Sequence, residues 1–282
     1  MSEPAAESAP SLEAESEFVL RTDLGRRVPD SDVRAALATG DMGFLHSFTT
    51  GSAVDGPGIR LVAWTTACMF RCRFCHNPDT WTLANGMPVS VEKARAELEK
   101  YANGLRAMNG GLTISGGEPL AQHRFVSKLF AAAKKLNIHT ALETNGYNGA
   151  RLSNTDLADI DLVILDMKAF RPEQHERVTG MADNSPVIEF CQRLGVLGRP
   201  MWLRYVLVPG LTDVAEEMEQ VAAFAASLGV VDWVEILPFH QMGRYKWERL
   251  GLDYTLSATE PPSPDAVASA VGIFRAAGLD AC

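Results

Sequence analysis

No stretch of this chain strings together the ~18 apolar residues that a membrane-crossing helix requires. Its first residues show no basic segment leading into an apolar run and a small-residue cleavage site. The expected location is the cytoplasm, with no membrane partner. Positive charge is also in short supply: 26 Lys and Arg against 35 Asp and Glu leave a formal net charge of −9, the wrong balance for an electrostatic nucleic-acid footprint. A protein partner is expected rather than RNA or DNA. Cysteine is scarce and odd in number, five in 282 residues, which does not make a disulfide framework. Unpaired thiols stay available to metal in a reducing compartment.

Large apolar side chains are sparse from Met1 to about Asp41. Ala, Ser, Pro and Glu dominate there and offer too little apolar surface to offset the entropy of ordering. Residues 1–41 are therefore expected to be a weakly ordered acidic tail, with Val33–Leu37 as a helical turn or short docking segment at most. The remainder is globular in composition, 46% hydrophobic and 22% charged over the chain, and long enough to form one α/β domain over residues 42–282.

Within that domain, β-branched and apolar runs at Ile59–Thr66, Gly111–Ser115, His139–Glu143, Leu162–Asp166, Met201–Val208 and Val234–Pro238 predict strands. Helical periodicity falls between them at Ser90–Tyr101, Leu120–Leu136, Pro186–Leu197, Val214–Leu228 and Asp265–Ala277. Strand–helix alternation predicts a parallel sheet with helices outside. Six such strands make a partial (β/α)6 TIM-like barrel, whose active site is expected at the carboxyl ends of the strands. Each predicted strand does end in something polar or tightly turned. A cysteine loop follows the first, Gly116-Gly117-Glu118-Pro119 the second and Glu143-Thr144-Asn145-Gly146 the third. Asp166 and Lys168 end the fourth, Arg204 lies in the fifth before Pro209-Gly210, and Pro238-Phe239-His240 end the sixth.

The cysteine loop carries the chemistry. Cys68, Cys72 and Cys75 are spaced C-x3-C-x2-C with no fourth cysteine nearby. An electron-transfer [4Fe–4S] centre takes four thiolates, so a cluster on three keeps one iron free for a small molecule. The competing reading is structural zinc on Cys68, Cys72, Cys75 and His76, although zinc modules usually bring two separated ligand pairs. Gly116 and Gly117 lack a β-carbon and let backbone approach a ligand; a tight strand-to-helix turn would use them equally well. Glu118 can accept hydrogen bonds from a ligand ammonium or cap the next helix. Asp166 and Lys168, two apart in a strand, point to one face, where unpaired charge is costly; the alternative is a structural salt bridge.

The cysteine motif followed by the Gly-Gly-Glu-Pro element resembles the radical S-adenosylmethionine superfamily. The stretches DGPGIR (Asp55–Arg60), CHNPDTW (Cys75–Trp81), SGGEPL, ETNGY, LDMK (Leu165–Lys168), RYVLVPG (Arg204–Gly210) and LPFH are similar to the pyruvate formate-lyase-activating enzymes, from about Gly43 to the C-terminus. The resemblance implies one [4Fe–4S] cluster on Cys68, Cys72 and Cys75, with S-adenosylmethionine chelating the open iron. One electron then cleaves the sulfonium, and the resulting 5′-deoxyadenosyl radical takes a hydrogen from a glycine of pyruvate formate-lyase. It further implies cofactor contacts at Phe74, Cys75, His76, Gly116, Gly117, Glu118, Glu143, Asp166, Met167, Lys168 and His240, with Lys168 meeting the methionyl carboxylate and His240 the nucleoside. Asp55 and Arg204 match positions that touch the glycine-bearing peptide. Flavodoxin or ferredoxin is the implied electron donor, and a monovalent cation a further implied ligand. Glu143 stands where these enzymes commonly have Asp, and its extra methylene moves the carboxylate by about an ångström or more. Thr80–Gly110 holds no cysteine, as in the single-cluster relatives. Competing readings are a radical enzyme acting on another glycyl-radical enzyme or on a small molecule, and a non-catalytic metal-binding redox module.

Overall fold

The computed structural model describes residues 30–282. In chain order these form α1 (Asp30–Thr39), β1 (Met42–Ser52), β2 (Arg60–Thr65), β3 (Met87–Ser90), α2 (Val91–Ala107), β4 (Gly111–Gly116), α3 (His123–Lys135) and β5 (His139–Thr144). Then follow α4 (Asn154–Ala158), β6 (Leu162–Asp166), α5 (Pro172–Thr179), α6 (Ser185–Val196), β7 (Met201–Leu207), α7 (Ala215–Ser227), β8 (Val231–Pro238), α8 (Arg244–Arg249) and α9 (Pro264–Ala276). The sheet runs β3-β1-β2-β4-β5-β6-β7-β8. From β2 to β8 every neighbouring pair is parallel, whereas β1 pairs antiparallel with both β2 and β3. The sheet does not close: β3 and β8 are its two edges, and the six parallel strands form the expected partial barrel.

All six predicted strands are present; the central ones are largely buried on both faces, as strands covered by helices must be, and Leu162–Leu165 of β6 are all buried, whereas the edge strand β8 has Asp232 exposed. Most side chains of the core lie between sheet and helices. A smaller set, Ala141, Leu162 and Ile164 with Trp202 against them, fills the inside near the strand starts. Beside it lies Arg60, 0% exposed, donating to Thr113 Oγ1 at 2.9 Å, the Leu112 carbonyl at 2.7 Å and the Pro57 carbonyl at 3.2 Å. Burial lowers its pKa to about 10, and these acceptors satisfy a charge that would otherwise be costly there. The barrel is thus plugged at the amino ends and free to open at the carboxyl ends.

Two expectations change. The tail expected over residues 1–41 contains α1, which reaches β1 and α3: Arg124 donates to the Ala38 carbonyl, and Lys128 pairs with Asp41 at 2.5 Å. The rest of that expectation, residues 1–29, lies outside the described residues. The single helix expected over Leu120–Leu136 opens instead with a 3-10 turn, Pro119–Gln122, before α3. Proline sets the first turn, and Glu118 caps it by accepting the Leu120 N–H at 2.9 Å.

Candidate active site

The chain leaves β2 through Ala67, a left-handed residue with φ 75°, and enters the cysteine loop. Backbone bonds pin this loop on both sides. Ala67 and Cys68 donate to the carbonyls of Thr80 at 2.8 Å and Trp81 at 3.1 Å, while Arg71 and Arg73 donate to Thr179 at 2.8 Å and Val178 at 3.0 Å in α5. The segment around α8 covers the far side. Trp247 Nε1 donates to the Cys75 carbonyl at 2.8 Å and its ring packs edge-on against Trp81, centroids 5.1 Å apart. Lys246 bonds Asn77 Oδ1 at 2.8 Å and pairs with Asp79 at 3.0 Å. A loop fixed at so many backbone groups can hold three sulfurs in one place before any ligand arrives.

Cys68, Cys72 and Cys75 are free thiols that line one cavity of about 540 Å³. Burial pushes the Cys72 thiol up to about 12 and raises Cys68 and Cys75 as well, so a metal bound by these thiols would displace their protons. Among the described residues no three Cys, His, Asp or Glu side chains converge as a single ion requires. The His76 ring instead stacks beside His240, centroids 4.2 Å apart. Three thiolates that each bind a different iron need no common point, so the donor set fits an iron–sulfur cluster better than a tetrahedral zinc ion.

The opposite wall is a row across the barrel strands. The register aligns Asp166 with Arg204 and Arg204 with Glu235, so these side chains share the inner face. The Arg204 guanidinium, 7% exposed, donates to Glu235 at 2.7 Å and also to Glu143 and the Val54 carbonyl. It lies 3.9 Å from Asp55. Burial alone would lower its pKa, but Glu143 and Glu235 raise it. Burial raises Glu143 despite Arg204, and Glu143 Oε2 is left with no hydrogen-bond partner. Lys168 pairs with Asp166 at 3.2 Å and stands 5.5 Å over the Phe74 ring. Burial opposes its charge, yet Asp166 and the nearby sulfurs raise its pKa.

Most of the residues singled out from the sequence meet here: Asp55, Phe74, His76, Gly116, Gly117, Glu143, Asp166, Lys168, Arg204 and His240 all line the cavity with the three cysteines. Two do not. Met167 is 1% exposed and packs in the outer core; it follows directly on β6, between Asp166 and Lys168, which both line the cavity. Glu118 is 0% exposed and is consumed by Leu120 N, Thr144 Oγ1 and Asn145 N, so the capping alternative describes it. The two glycines answer to backbone as well as cavity. Gly116 has φ 120° and a β-carbon there would fall on the Thr65 backbone, while one on Gly117 would meet the Ala67 carbonyl at 2.6 Å. Sequence reasoning left out Ser115, Asn145 and Glu235, which also line the cavity; Glu235 is brought there by the register that pairs it with Arg204 on the neighbouring strand, which no pattern within one strand shows.

An open parallel barrel with three free thiols at its carboxyl rim defines an enzyme built to hold a metal cluster and a small ligand together. Residues 62–225 match the Radical SAM superfamily. Over 239 residues, 84% of this chain and 97% of the relative, the sequence is 37% identical to the pyruvate formate-lyase 1-activating enzyme of Escherichia coli K12. It is 38% identical over 235 residues, 81% of this chain and 93% of the relative, to the pyruvate formate-lyase-activating enzyme of Staphylococcus epidermidis. The crystal structure of a radical SAM methyltransferase from Sphaerobacter thermophilus shares the fold, with a TM-score of 0.54 and 17% identity over 90% of this chain and 81% of that one. The chain belongs to the radical SAM superfamily and, within it, to the family of the pyruvate formate-lyase-activating enzymes.

Proposed function

We propose that this protein is an activating enzyme that cleaves S-adenosylmethionine reductively and installs a glycyl radical on pyruvate formate-lyase. When bound, the [4Fe–4S] cluster and S-adenosylmethionine supply the one-electron chemistry that yields methionine and the 5′-deoxyadenosyl radical. The chain's own residues bind, orient and exclude water. Cys68, Cys72 and Cys75 would hold the cluster; Lys168, kept charged by Asp166, would offer an ammonium to the methionyl carboxylate. Phe74, His76 and His240 form an aromatic wall suited to the nucleoside. Glu143 Oε2, buried without a donor, is the acceptor left for a monovalent cation.

At the mouth, Arg204 ties the Val54–Asp55 loop to the barrel, next to the exposed Val54. This is the edge over which a glycine-bearing peptide of the partner would enter. Flavodoxin or ferredoxin in the cytoplasm is the proposed donor of the electron. What carries the reading is the meeting of three free thiols, a half-buried lysine–aspartate pair and the arginine-bearing strand end in one cavity. The test is to mix reduced protein, S-adenosylmethionine and pyruvate formate-lyase without oxygen and record the electron paramagnetic resonance spectrum. A glycine-centred doublet is expected, and cleavage of S-adenosylmethionine with no radical on the partner would refute the assignment.

A further inference from the structure

Glu118 sits beside the cavity rather than in it, and what it holds is informative. Its Oε1 accepts Leu120 N–H at 2.9 Å and Thr144 O–H at 2.6 Å, and its Oε2 accepts Asn145 N–H at 2.9 Å. Thr144 Oγ1 in turn accepts the Gly146 N–H at 3.0 Å. One carboxylate therefore locks the end of β4 to the end of β5. Asn145, 6% exposed, emerges from this lock with its side chain also fixed, because Oδ1 accepts the Tyr147 N–H at 3.0 Å. With the oxygen committed to a backbone donor, the hydrogen-bond network assigns the amide orientation. Nδ2 is the end that faces the cysteine loop, 4.0 Å from Cys68 Sγ and 3.8 Å from Met69 Sδ.

We propose that Asn145, held by Glu118, is a positioning residue that donates an amide N–H to the Cys68 thiolate and so raises the reduction potential of the cluster this sulfur holds. The inference rests on the three-thiolate cluster reading above. Reduction adds one electron to a centre that is already rich in negative charge. A donor aimed at a ligand sulfur stabilises the reduced form more than the oxidised one, and hydrogen bonds to sulfur are among the levers that set iron–sulfur potentials. Outer partners of metal ligands also matter through orientation, and Asn145 is oriented twice over, through its own backbone N–H and through Oδ1. The Gly-Gly-Glu-Pro glutamate then serves the cluster at one remove, through the residue it holds.

The test is an anaerobic redox titration of the reconstituted full chain, as wild type, Asn145→Ser and Asn145→Ala, with iron and sulfide counted on each and the reduced cluster followed by electron paramagnetic resonance. Both variants remove the amide without adding charge, and serine can still bond the Tyr147 N–H to preserve the turn. At the potential where the wild type is half reduced, the ratio of reduced to oxidised cluster should fall about tenfold in the variants, equivalent to about 59 mV for a one-electron couple. A ratio within twofold of wild type in a variant with full iron overturns the proposal. So does loss of iron from both variants, which would make Asn145 a prop for the loop. A variant that loses iron alone leaves the decision to the other. A wild type that holds no cluster takes down the underlying reading instead, so the two failures are distinct.

Discussion

Arg204→Met removes the guanidinium that bonds both Glu143 and Glu235 while keeping much of the side-chain volume. In the native chain the guanidinium, 7% exposed, bonds Glu143, Glu235 at 2.7 Å and the Val54 carbonyl, with Asp55 at 3.9 Å. Deleting one partner of a buried ion pair costs about 3–5 kcal/mol because the other charge stays buried without compensation. At roughly 2–4 °C per kcal/mol for a large domain, the melting temperature should drop by about 6–20 °C. The loss should depend on pH. Burial already raises the Glu143 carboxyl from its ordinary 4.5 against the pull of Arg204, and without Arg204 it rises further. A carboxyl whose folded pKa lies above its unfolded one binds its proton more tightly in the folded chain. Its penalty is thus absent below the unfolded value and grows as pH rises toward the folded one. Thermal unfolding of the metal-free chain by circular dichroism should therefore show a wide gap between variant and wild type at pH 7.5 and a narrower one at pH 5. Arg204→Met combined with Glu143→Gln should recover much of the loss, since the two groups share one interaction. A single variant that melts within 2 °C of wild type at pH 7.5, or a gap equal at both pH values, would refute the reasoning.

Alanine at Cys68, Cys72 or Cys75 should leave the reconstituted protein without its full iron, whereas Cys191→Ala and Cys282→Ala should keep it; an intact cluster in any of the first three removes that ligand from the set. Lys168→Met should weaken S-adenosylmethionine binding by about 10–100-fold, the value of a charged hydrogen bond of about 1.5–3 kcal/mol. Equilibrium dialysis on the loaded enzyme checks it, and an unchanged dissociation constant would reassign Lys168 to a structural pair with Asp166. Trp247→Phe keeps the ring packing but strips the Cys75 carbonyl of its donor. The loop should then yield iron to a chelator faster, and equal rates would mean that α8 does not brace it.

The parallel strands were legible because β-branched and apolar residues dominate them, most continuously in β6 where Leu162–Leu165 are all buried, and their polar ends announced the rim. β1 and β3 were not. Met42–Ser52 alternates irregularly, with bulges at Leu45/Ser47 and Thr50/Ser52, and Met87–Ser90 is four residues containing a proline, so neither carries a periodic signal. The cysteine triad stood out from spacing alone, but its support did not. The Trp247 and Lys246 contacts reach back across 172 and 169 positions, and no local pattern encodes them. Glu118 and Met167 lie off the cavity lining for different reasons. Glu118 belongs to a motif whose side chain faces the fold while its glycines face the cavity, and Met167 sits between two cavity residues but packs in the outer core. Asn145 lay in plain view within Glu143-Thr144-Asn145-Gly146, yet only the Tyr147 hydrogen bond reveals which end of its amide meets sulfur.

The most direct measurement is the electron paramagnetic resonance spectrum of the anaerobically reconstituted, reduced protein with and without S-adenosylmethionine, alongside its iron count. Four irons per chain and a signal that changes on adding S-adenosylmethionine are expected of a cluster held by Cys68, Cys72 and Cys75 with one iron open. A reduced cluster whose spectrum ignores S-adenosylmethionine, or a protein that takes up one zinc in place of iron, would contradict the account.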